Sequence, residues 1–172
     1  MEDDLAHRIN AVARLEGSFV LRSGQVASHY FDKYRFEGDP ALLRRVALRM
    51  LTLLPPETEL LAGLELGGVP IATAMSLESG LPTVFVRKAP KTYGTRRSVE
   101  GGDVAGRNVV IIEDVITTGG AVSDAAGLLR GDGAQLIAVV CAIWRGLGAP
   151  AIIALPDVPV FPALTEAQLS AD

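Results

Sequence analysis

The sequence has little cysteine, little histidine and few aromatic residues. Its 172 residues include one cysteine and two histidines, and aromatic residues make up 5 %. One thiol cannot form an internal disulfide, and Cys141 lies in an apolar run that predicts a buried core position. His7 and His29 are far apart and lack cysteine or acidic partners at ligand spacing. A zinc site or a Ser/His/Asp triad is therefore not expected.

Long apolar runs and a strong charge of one sign are also missing. No apolar run approaches the ~18 residues of a membrane-spanning helix, and the acidic first ten residues lack the apolar centre of a signal peptide. The net charge of −4 argues against a protein that coats nucleic acid. We therefore expect a cytoplasmic protein with no membrane partner and no nucleic-acid partner.

Two familiar nucleotide-binding patterns are absent or unconvincing. The P-loop pattern GxxxxGK followed by Ser or Thr does not occur, so an ordinary P-loop NTPase is rejected. The run from Gly146 to Ala151 fits the dinucleotide pattern GxGxxA. Because Pro150 and a β-like run follow instead of a helix, we interpret it as a loop.

Hydrophobic residues, at 49 %, are sufficient for a core, and their periodicity predicts alternating strands and helices. A first helix, capped by Asp3 or Asp4, is predicted to end at Gly17, and short strands are predicted at 18–22 and 28–34. Further strands are predicted at 60–64, 83–86, 108–112, 136–143 and 151–155, and helices at 40–54, 69–79 and 119–131. This order indicates an α/β fold with a mainly parallel sheet flanked by helices. Such sheets bind ligands at the carboxyl ends of their strands.

The segment from Asn108 to Ala121 carries the clearest chemical signal. A β-branched strand runs into Glu113 and Asp114, which are costly to bury without partners. Two threonines and two glycines then precede a helix, which leaves backbone N–H groups free to bind an anion such as a phosphate. The adjacent carboxylates suit the paired hydroxyls of a ribose. The alternative is a plain strand-to-helix connection with a threonine cap.

The thirteen-residue run from Val109 to Ala121 resembles the phosphoribosyl-pyrophosphate (PRPP) signature of the type I phosphoribosyltransferases. That resemblance implies one domain over 1–172, with a twisted, mainly parallel sheet, a small N-terminal hood at about 17–36 and a contribution from the C-terminal tail. It also implies that PRPP is bound by Glu113, Asp114, Val115, Ile116, Thr117, Thr118, Gly119, Gly120 and Ala121.

Three more segments resemble one subfamily, the orotate phosphoribosyltransferases. Residues 19–32 resemble its hood over the base, 64–72 its pyrophosphate loop, and 86–101 its flexible catalytic loop. The resemblance adds to the PRPP-binding set Arg22, Gly67, Gly68, Arg87, Lys88, Lys91 and Tyr93. It implies that orotate is contacted by Tyr30, Phe31, Thr117 and Arg145.

The basic loop has a physical interpretation of its own. Five positive charges, at Arg87, Lys88, Lys91, Arg96 and Arg97, fall within eleven positions of a net-acidic chain. They suit the charge that develops on departing pyrophosphate, although a solvated surface loop is the alternative. In the family this loop reaches into the neighbouring subunit. The resemblance therefore implies a homodimer in which residues 88–102 act in trans.

The resemblance implies transfer of ribose 5-phosphate from PRPP to orotate in pyrimidine (UMP) biosynthesis, with Lys91, Glu113 and Asp114 as catalytic residues. Mg²⁺ is implied on the substrate oxygens, with no direct protein ligand and with Asp114 reaching it through water. Two alternatives stay open: a phosphoribosyltransferase for another purine or pyrimidine base, and a non-catalytic PRPP-sensing regulator.

A few positions depart from the subfamily pattern. Gly67 stands where many relatives have a lysine, and Tyr93 replaces a histidine near the end of the basic loop. Arg22 stands at a hood position that is often lysine. Trp144 replaces an acid before the base-contacting arginine, and either stacks on a base or packs in the core.

Overall fold

A computed structural model describes residues 4–20, 24–89, 98–152 and 154–170. The helices are α1 (Leu5–Ala13), α2 (Tyr34–Glu37), α3 (Pro40–Leu51), α4 (Gly68–Ser79), α5 (Gly120–Gly131) and α6 (Glu166–Ser170). The strands are β1 (Arg14–Val20), β2 (Val26–Phe31), β3 (Leu60–Leu64), β4 (Thr83–Val86), β5 (Val99–Glu100), β6 (Asn108–Ile116), β7 (Gln135–Trp144) and β8 (Val160–Thr165).

Six strands form one sheet in the order β5-β4-β3-β6-β7-β8. All neighbours in it are parallel except β5, which runs antiparallel to β4. The predicted α/β class with a mainly parallel sheet is therefore confirmed. The central strands β3 and β6 are apolar on both faces because helices cover both.

Alternate residues of β6 enter two separate cores. Val110 and Ile112 pack in the core that also contains buried residues of α1, α3 and α4. Val109 and Ile111 pack in the other core, with buried residues of α5. Cys141 is a free, buried thiol in that second core, as the sequence predicted.

The N-terminal segment differs from its prediction. Helix α1 ends at Ala13, not at Gly17, because Arg14 turns extended and pairs with Phe31 in a separate two-stranded sheet. Asp4 stands at the helix start but makes no side-chain cap, and instead lies 2.5 Å from Arg45 Nη2. By contrast, Asp39 caps α3 as predicted, accepting hydrogen bonds from two backbone amides.

Two predictions for the strands of the large sheet were also wrong. Strand β6 continues through both acids to Ile116, so the expected acidic turn is strand, held by pairs such as Val115 with Ile143 of β7. The strand expected at 151–155 does not form in the described part of that range. The sheet edge is instead β8, where Pro162 is tolerated because an edge strand needs fewer backbone donors. In the part of the chain that the structure describes, no helix combines the length and the apolar character needed to cross a membrane.

Candidate active site

Two helices begin at the same edge of the sheet. β3 and β6 are parallel neighbours, α4 begins at Gly68 just after β3, and α5 begins at Gly120 just after β6. The amino ends of both helices therefore face the space beyond the carboxyl ends of these strands. This edge is where the sequence predicted the ligand site.

A cleft of about 200 Å³ lies at the start of α5, lined by Glu113 and by residues 115–122. Among the described residues, the backbone amides of Thr117, Thr118, Gly119 and Gly120 have no backbone acceptor. Gly119 adopts a left-handed φ of 79°, and a Cβ there would lie 2.8 Å from Ile152. Glycine at this position thus opens the turn that presents these amides, as an anion site requires.

The two acids of β6 are buried but play different parts. Glu113 lines the cleft and is 8 % exposed, whereas Asp114 is 1 % exposed. Glu113 Oε1 accepts from the Asp114 amide at 2.9 Å, and Asp114 Oδ1 accepts from the Val115 amide at 2.5 Å. Burial, with Asp114 beside it, raises the pKa of Glu113 to about 8.

Sequence reasoning missed two residues of the site, Lys33 and Glu37. The Lys33 ammonium lies 2.5 Å from Asp114 Oδ2, and the Glu37 carboxyl is buried beside Asp114. Burial alone would raise the pKa of Asp114, but hydrogen bonds and the ion pair with Lys33 hold it below its ordinary value of 3.8. Burial and the neighbouring Asp114 raise the pKa of Glu37 to about 9. The only available signal was that Lys33 lies within the predicted hood of about 17–36.

Gly67 closes this cluster from the pyrophosphate-loop side. A Cβ at Gly67 would lie 1.7 Å from Asp114 Oδ2 and 2.9 Å from Glu37 Oε1. Neighbouring Gly68 also has no room for a side chain, since a Cβ there would lie 2.3 Å from the Ile112 carbonyl oxygen. Both glycines predicted for PRPP binding are thus fixed by close packing against the end of β6.

A larger cleft of about 500 Å³ adjoins the first, and the two share Thr118, Gly120 and Ala121. Its far wall carries Arg87 and Lys88, which follow β4. The Lys88 amide donates to Glu65 Oε2 at 2.9 Å, and this contact ties the start of the basic loop to the β3–α4 connection. The structure therefore brings Arg87 and Lys88 to the amides of α5.

Several predicted site residues lie outside the described residues: Arg22, Lys91 and Tyr93, together with Arg96 and Arg97 of the basic loop. Their predicted roles stay predictions.

The predicted base-contacting residues are only partly brought together. The Arg145 guanidinium lies 5.5 Å from the centre of the Phe31 ring, and the Arg145 amide donates to the carbonyl oxygen of Ile116, the residue before Thr117. Tyr30 instead packs against Phe19, with ring centres 5.6 Å apart. Adjacent strand residues point to opposite faces, so Tyr30 and Phe31 do not share one surface.

Trp144 packs in the core and is 5 % exposed. Its indole N–H donates to the Gly148 carbonyl at 3.3 Å, and a Cβ at Gly146 would lie 2.3 Å from the indole ring. Of the two interpretations of Trp144, packing is the one that the geometry supports. Residues 146–148 therefore form a loop that packs against the indole ring. A loop is what the sequence predicted here, because Pro150 follows.

The carboxylates of the site do not make a metal cage. Both Asp114 oxygens are engaged, one by a backbone amide and one by Lys33, and one Glu113 oxygen accepts a backbone amide. Within the described ranges, no group of three or more His, Cys, Asp or Glu residues is placed to hold a metal ion. This donor set fits a divalent cation whose ligands come mainly from a phosphorylated substrate and water.

Comparison with known proteins gives a consistent picture. Residues 46–160 match the model of the phosphoribosyl transferase domain. The chain is 56 % identical over 171 residues to the orotate phosphoribosyltransferase of a Nocardioides species, covering 99 % of this chain and 96 % of that protein. It is 38 % identical over 149 residues to the Methanocella arvoryzae orotate phosphoribosyltransferase, covering 86 % of this chain and 85 % of that protein.

A solved structure of similar shape is that of the orotate phosphoribosyltransferase of Mycobacterium tuberculosis. It aligns with a TM-score of 0.85 and 28 % identity, covering 98 % of each chain. The chain therefore belongs to the phosphoribosyltransferase family, among the orotate phosphoribosyltransferases.

Proposed function

We propose that this protein transfers ribose 5-phosphate from PRPP to the N1 nitrogen of orotate, giving orotidine 5′-monophosphate and pyrophosphate in pyrimidine biosynthesis. The observation that carries the proposal is the 56 % identity, over nearly the full length of both chains, to a protein named orotate phosphoribosyltransferase. The geometry of the α5 cleft supports it independently.

The start of α5 suits the 5′-phosphate of the substrate. The amides of Thr117 to Gly120 line the smaller cleft and lack backbone acceptors in the described structure, so phosphate oxygens supply the missing acceptors. Glu113, in the same cleft, then faces the ribose hydroxyls. Asp114, behind it, contributes negative charge near the cationic, oxocarbenium-like ribose of the transition state.

The larger cleft suits the departing pyrophosphate. When the C1–O bond of PRPP breaks, its electron pair leaves on a pyrophosphate oxygen while the N1 nitrogen of orotate bonds to C1, and the N1 proton passes to solvent. Arg87 and Lys88 line this cleft and meet that charge, and Lys91 is proposed to do the same. Positioning and electrostatics are proposed to provide most of the catalysis.

Orotate is proposed to bind between the β1–β2 hairpin, which serves as the hood, and the end of β7. Phe31 and Arg145 face each other there, and a guanidinium can hold a carbonyl or carboxylate through two hydrogen bonds. Thr117 adjoins them through the backbone. A small pocket of about 70 Å³ at this place is lined by Phe31, Arg145 and Glu166.

Mg²⁺ is part of the proposal as a cofactor held by substrate oxygens and water. It supplies charge neutralisation on pyrophosphate. Asp114 would reach the ion only through water, because Lys33 and the Val115 amide already engage both carboxylate oxygens.

A homodimer in which Lys91 and its neighbours act in trans, and a cytoplasmic location, also belong to the proposal. The predicted trans segment of 88–102 was too long, because Lys88 lines the cleft of its own subunit and Val99–Glu100 pairs with β4 of its own subunit. Leu66 in the pyrophosphate loop and Leu77 on α4 are 58 % and 83 % exposed, and exposed apolar side chains of this kind suit burial by a second subunit. The action in trans is tested by mixing two variants, Lys91→Ala and Thr117→Trp, each of which is inactive by itself. Activity that returns on mixing supports action in trans, and mixtures as inactive as their components contradict it.

The central test is a panel of bases with PRPP and Mg²⁺, monitored by ultraviolet absorbance. Consumption of orotate, and not of adenine, hypoxanthine or uracil, is the expected result. Turnover of another base without orotate would contradict the proposal. PRPP binding without turnover of any base would favour a PRPP-sensing regulator.

A further inference from the structure

A positive charge from the N-terminal segment reaches the buried end of β6. Lys33 is one-third exposed at its side chain, yet its ammonium lies 2.5 Å from an oxygen of Asp114, whose side chain is 1 % exposed. Among the described residues Lys33 is the cation that pairs with that oxygen, and the Glu37 carboxyl, kept protonated by its raised pKa, lies beside it. Lys33 lies eighty-one positions before Asp114, and β2 and α2 hold it there.

The surroundings of Asp114 leave no substitute for this cation. The groups that face it are carboxyls from β6 and α2 (Glu113 and Glu37), the neutral thiol of Cys141 on β7, and the Tyr34 ring 5.3 Å from the Lys33 ammonium. Gly67 contributes only backbone, and a side chain there would occupy the place of the Asp114 carboxylate. Two carboxyls and one amine thus surround a buried carboxylate.

We propose that Lys33 is a positioning residue for the substrate ribose. It holds the Asp114 carboxylate against the Gly67 backbone, so that Glu113 lies in the cleft and Asp114 lies behind it. Without the ammonium, the buried Asp114 carboxylate either takes up a proton or rotates towards the cleft, so the ribose loses either the fixed negative charge or the fixed geometry. The inference rests on the proposed binding of PRPP in this cleft.

The effect expected from Lys33 is specific to PRPP. Replacing Lys33→Met removes the charge and keeps much of the apolar stem. We expect the KM for PRPP to rise roughly tenfold or more, equal to about 1.4 kcal/mol of binding free energy, with a smaller change in the KM for orotate. Lys33→Arg keeps a cation and is expected to recover most of the loss.

The matched control is Arg44→Met. Arg44 forms an ion pair of similar length, 2.6 Å, with Glu78, but on the surface between α3 and α4 and away from both clefts. The kinetic constants of the Arg44→Met variant are expected to stay within twofold of those of the parent protein, since exposed ion pairs contribute little. Thermal unfolding of each variant shows whether a kinetic loss follows from global instability. If Lys33→Met does not fold, Lys33→Gln is measured in its place.

Direct PRPP binding separates this inference from the proposed function. Equilibrium binding of PRPP to the parent and to the Lys33 variants is measured without any base. If the parent binds PRPP but does not consume orotate, the proposed base is wrong and the binding data still test Lys33. A folded Lys33→Met or Lys33→Gln protein that binds PRPP within twofold of the parent overturns the inference, as does a Lys33→Arg protein as weak as Lys33→Met.

Discussion

Arg145 donates a hydrogen bond from Nη2 to Glu166 Oε1 at 2.6 Å, joining the end of β7 to the C-terminal helix α6. Both side chains are partly exposed, at 36 % and 49 %, so the pair is worth little to stability. Its position matters more, because Arg145 is the residue proposed to hold orotate. Glu166 therefore occupies a guanidinium that an anionic base must also use.

Replacing Glu166→Gln is expected to lower the KM for orotate about two- to fivefold, because it removes a negative charge that competes with the anionic base. The KM for PRPP should not change. Steady-state kinetics with each substrate varied separately measure this effect. A rise in the KM for orotate would mean that Glu166 positions Arg145 instead of competing for it. Arg130→Gln, which breaks the exposed ion pair with Asp157, is the control.

Replacing Gly119→Ala is expected to weaken PRPP binding and to cost about 1–2 kcal/mol of unfolding free energy. The left-handed φ of 79° disfavours a side chain by that amount, and the added Cβ would lie 2.8 Å from Ile152. Denaturant unfolding and PRPP binding measure the two effects.

Gly127→Ala provides a matched control in the same helix. A Cβ at Gly127 would meet no atom within 4 Å, so this variant is expected to gain about 0.5–1 kcal/mol in stability and to bind PRPP normally. Equal losses in both variants would contradict the role assigned to the Gly119 turn.

Stability is expected to fall as the pH rises from about 5 to 9. The pKa of Glu37 is raised from its ordinary 4.5 to about 9, and that of Glu113 to about 8, so the folded protein keeps protons that the unfolded chain has lost in this interval. Unfolding is therefore favoured with increasing pH. Asp114 has the opposite sign: its pKa is lowered, so its contribution is lost only as the pH falls below 3.8.

The variant Glu37→Gln shows how much of the change in unfolding free energy with pH is due to Glu37. An uncharged amide cannot lose a proton, so the variant should show a shallower decline of the unfolding free energy between pH 5 and 9. Urea unfolding at several pH values measures it. An identical slope in parent and variant would show that Glu37 is ionised in the folded protein.

Replacing Lys91→Ala is expected to lower kcat by roughly a hundredfold or more while PRPP still protects the protein against thermal unfolding. The reason is that a cation which meets charge only in the transition state contributes to the rate more than to ground-state binding. Steady-state kinetics and PRPP-dependent melting measure the two effects. A parallel loss of PRPP binding would make Lys91 a ground-state contact.

The amino-acid sequence by itself determined the centre of this protein. The apolar strands at 60–64 and 83–86 and the helix that follows Gly119 were predictable because their signals are local: β-branched runs, helical periodicity and glycines at the turn. The unpaired amides at the start of α5 were predictable for the same reason, since they follow from chain geometry within a few residues.

Only the tertiary structure decided which distant residues complete the site. Lys33 and Glu37 carry no local signal of contact with Asp114, and Glu166 carries none of contact with Arg145. Strand β8 and the extension of β6 to Ile116 likewise depend on pairing with β7, which outweighs the weak strand character of Pro162 and of the acids. These features follow from burial and from contacts between residues far apart in the chain, whose free energies no local window of the sequence contains.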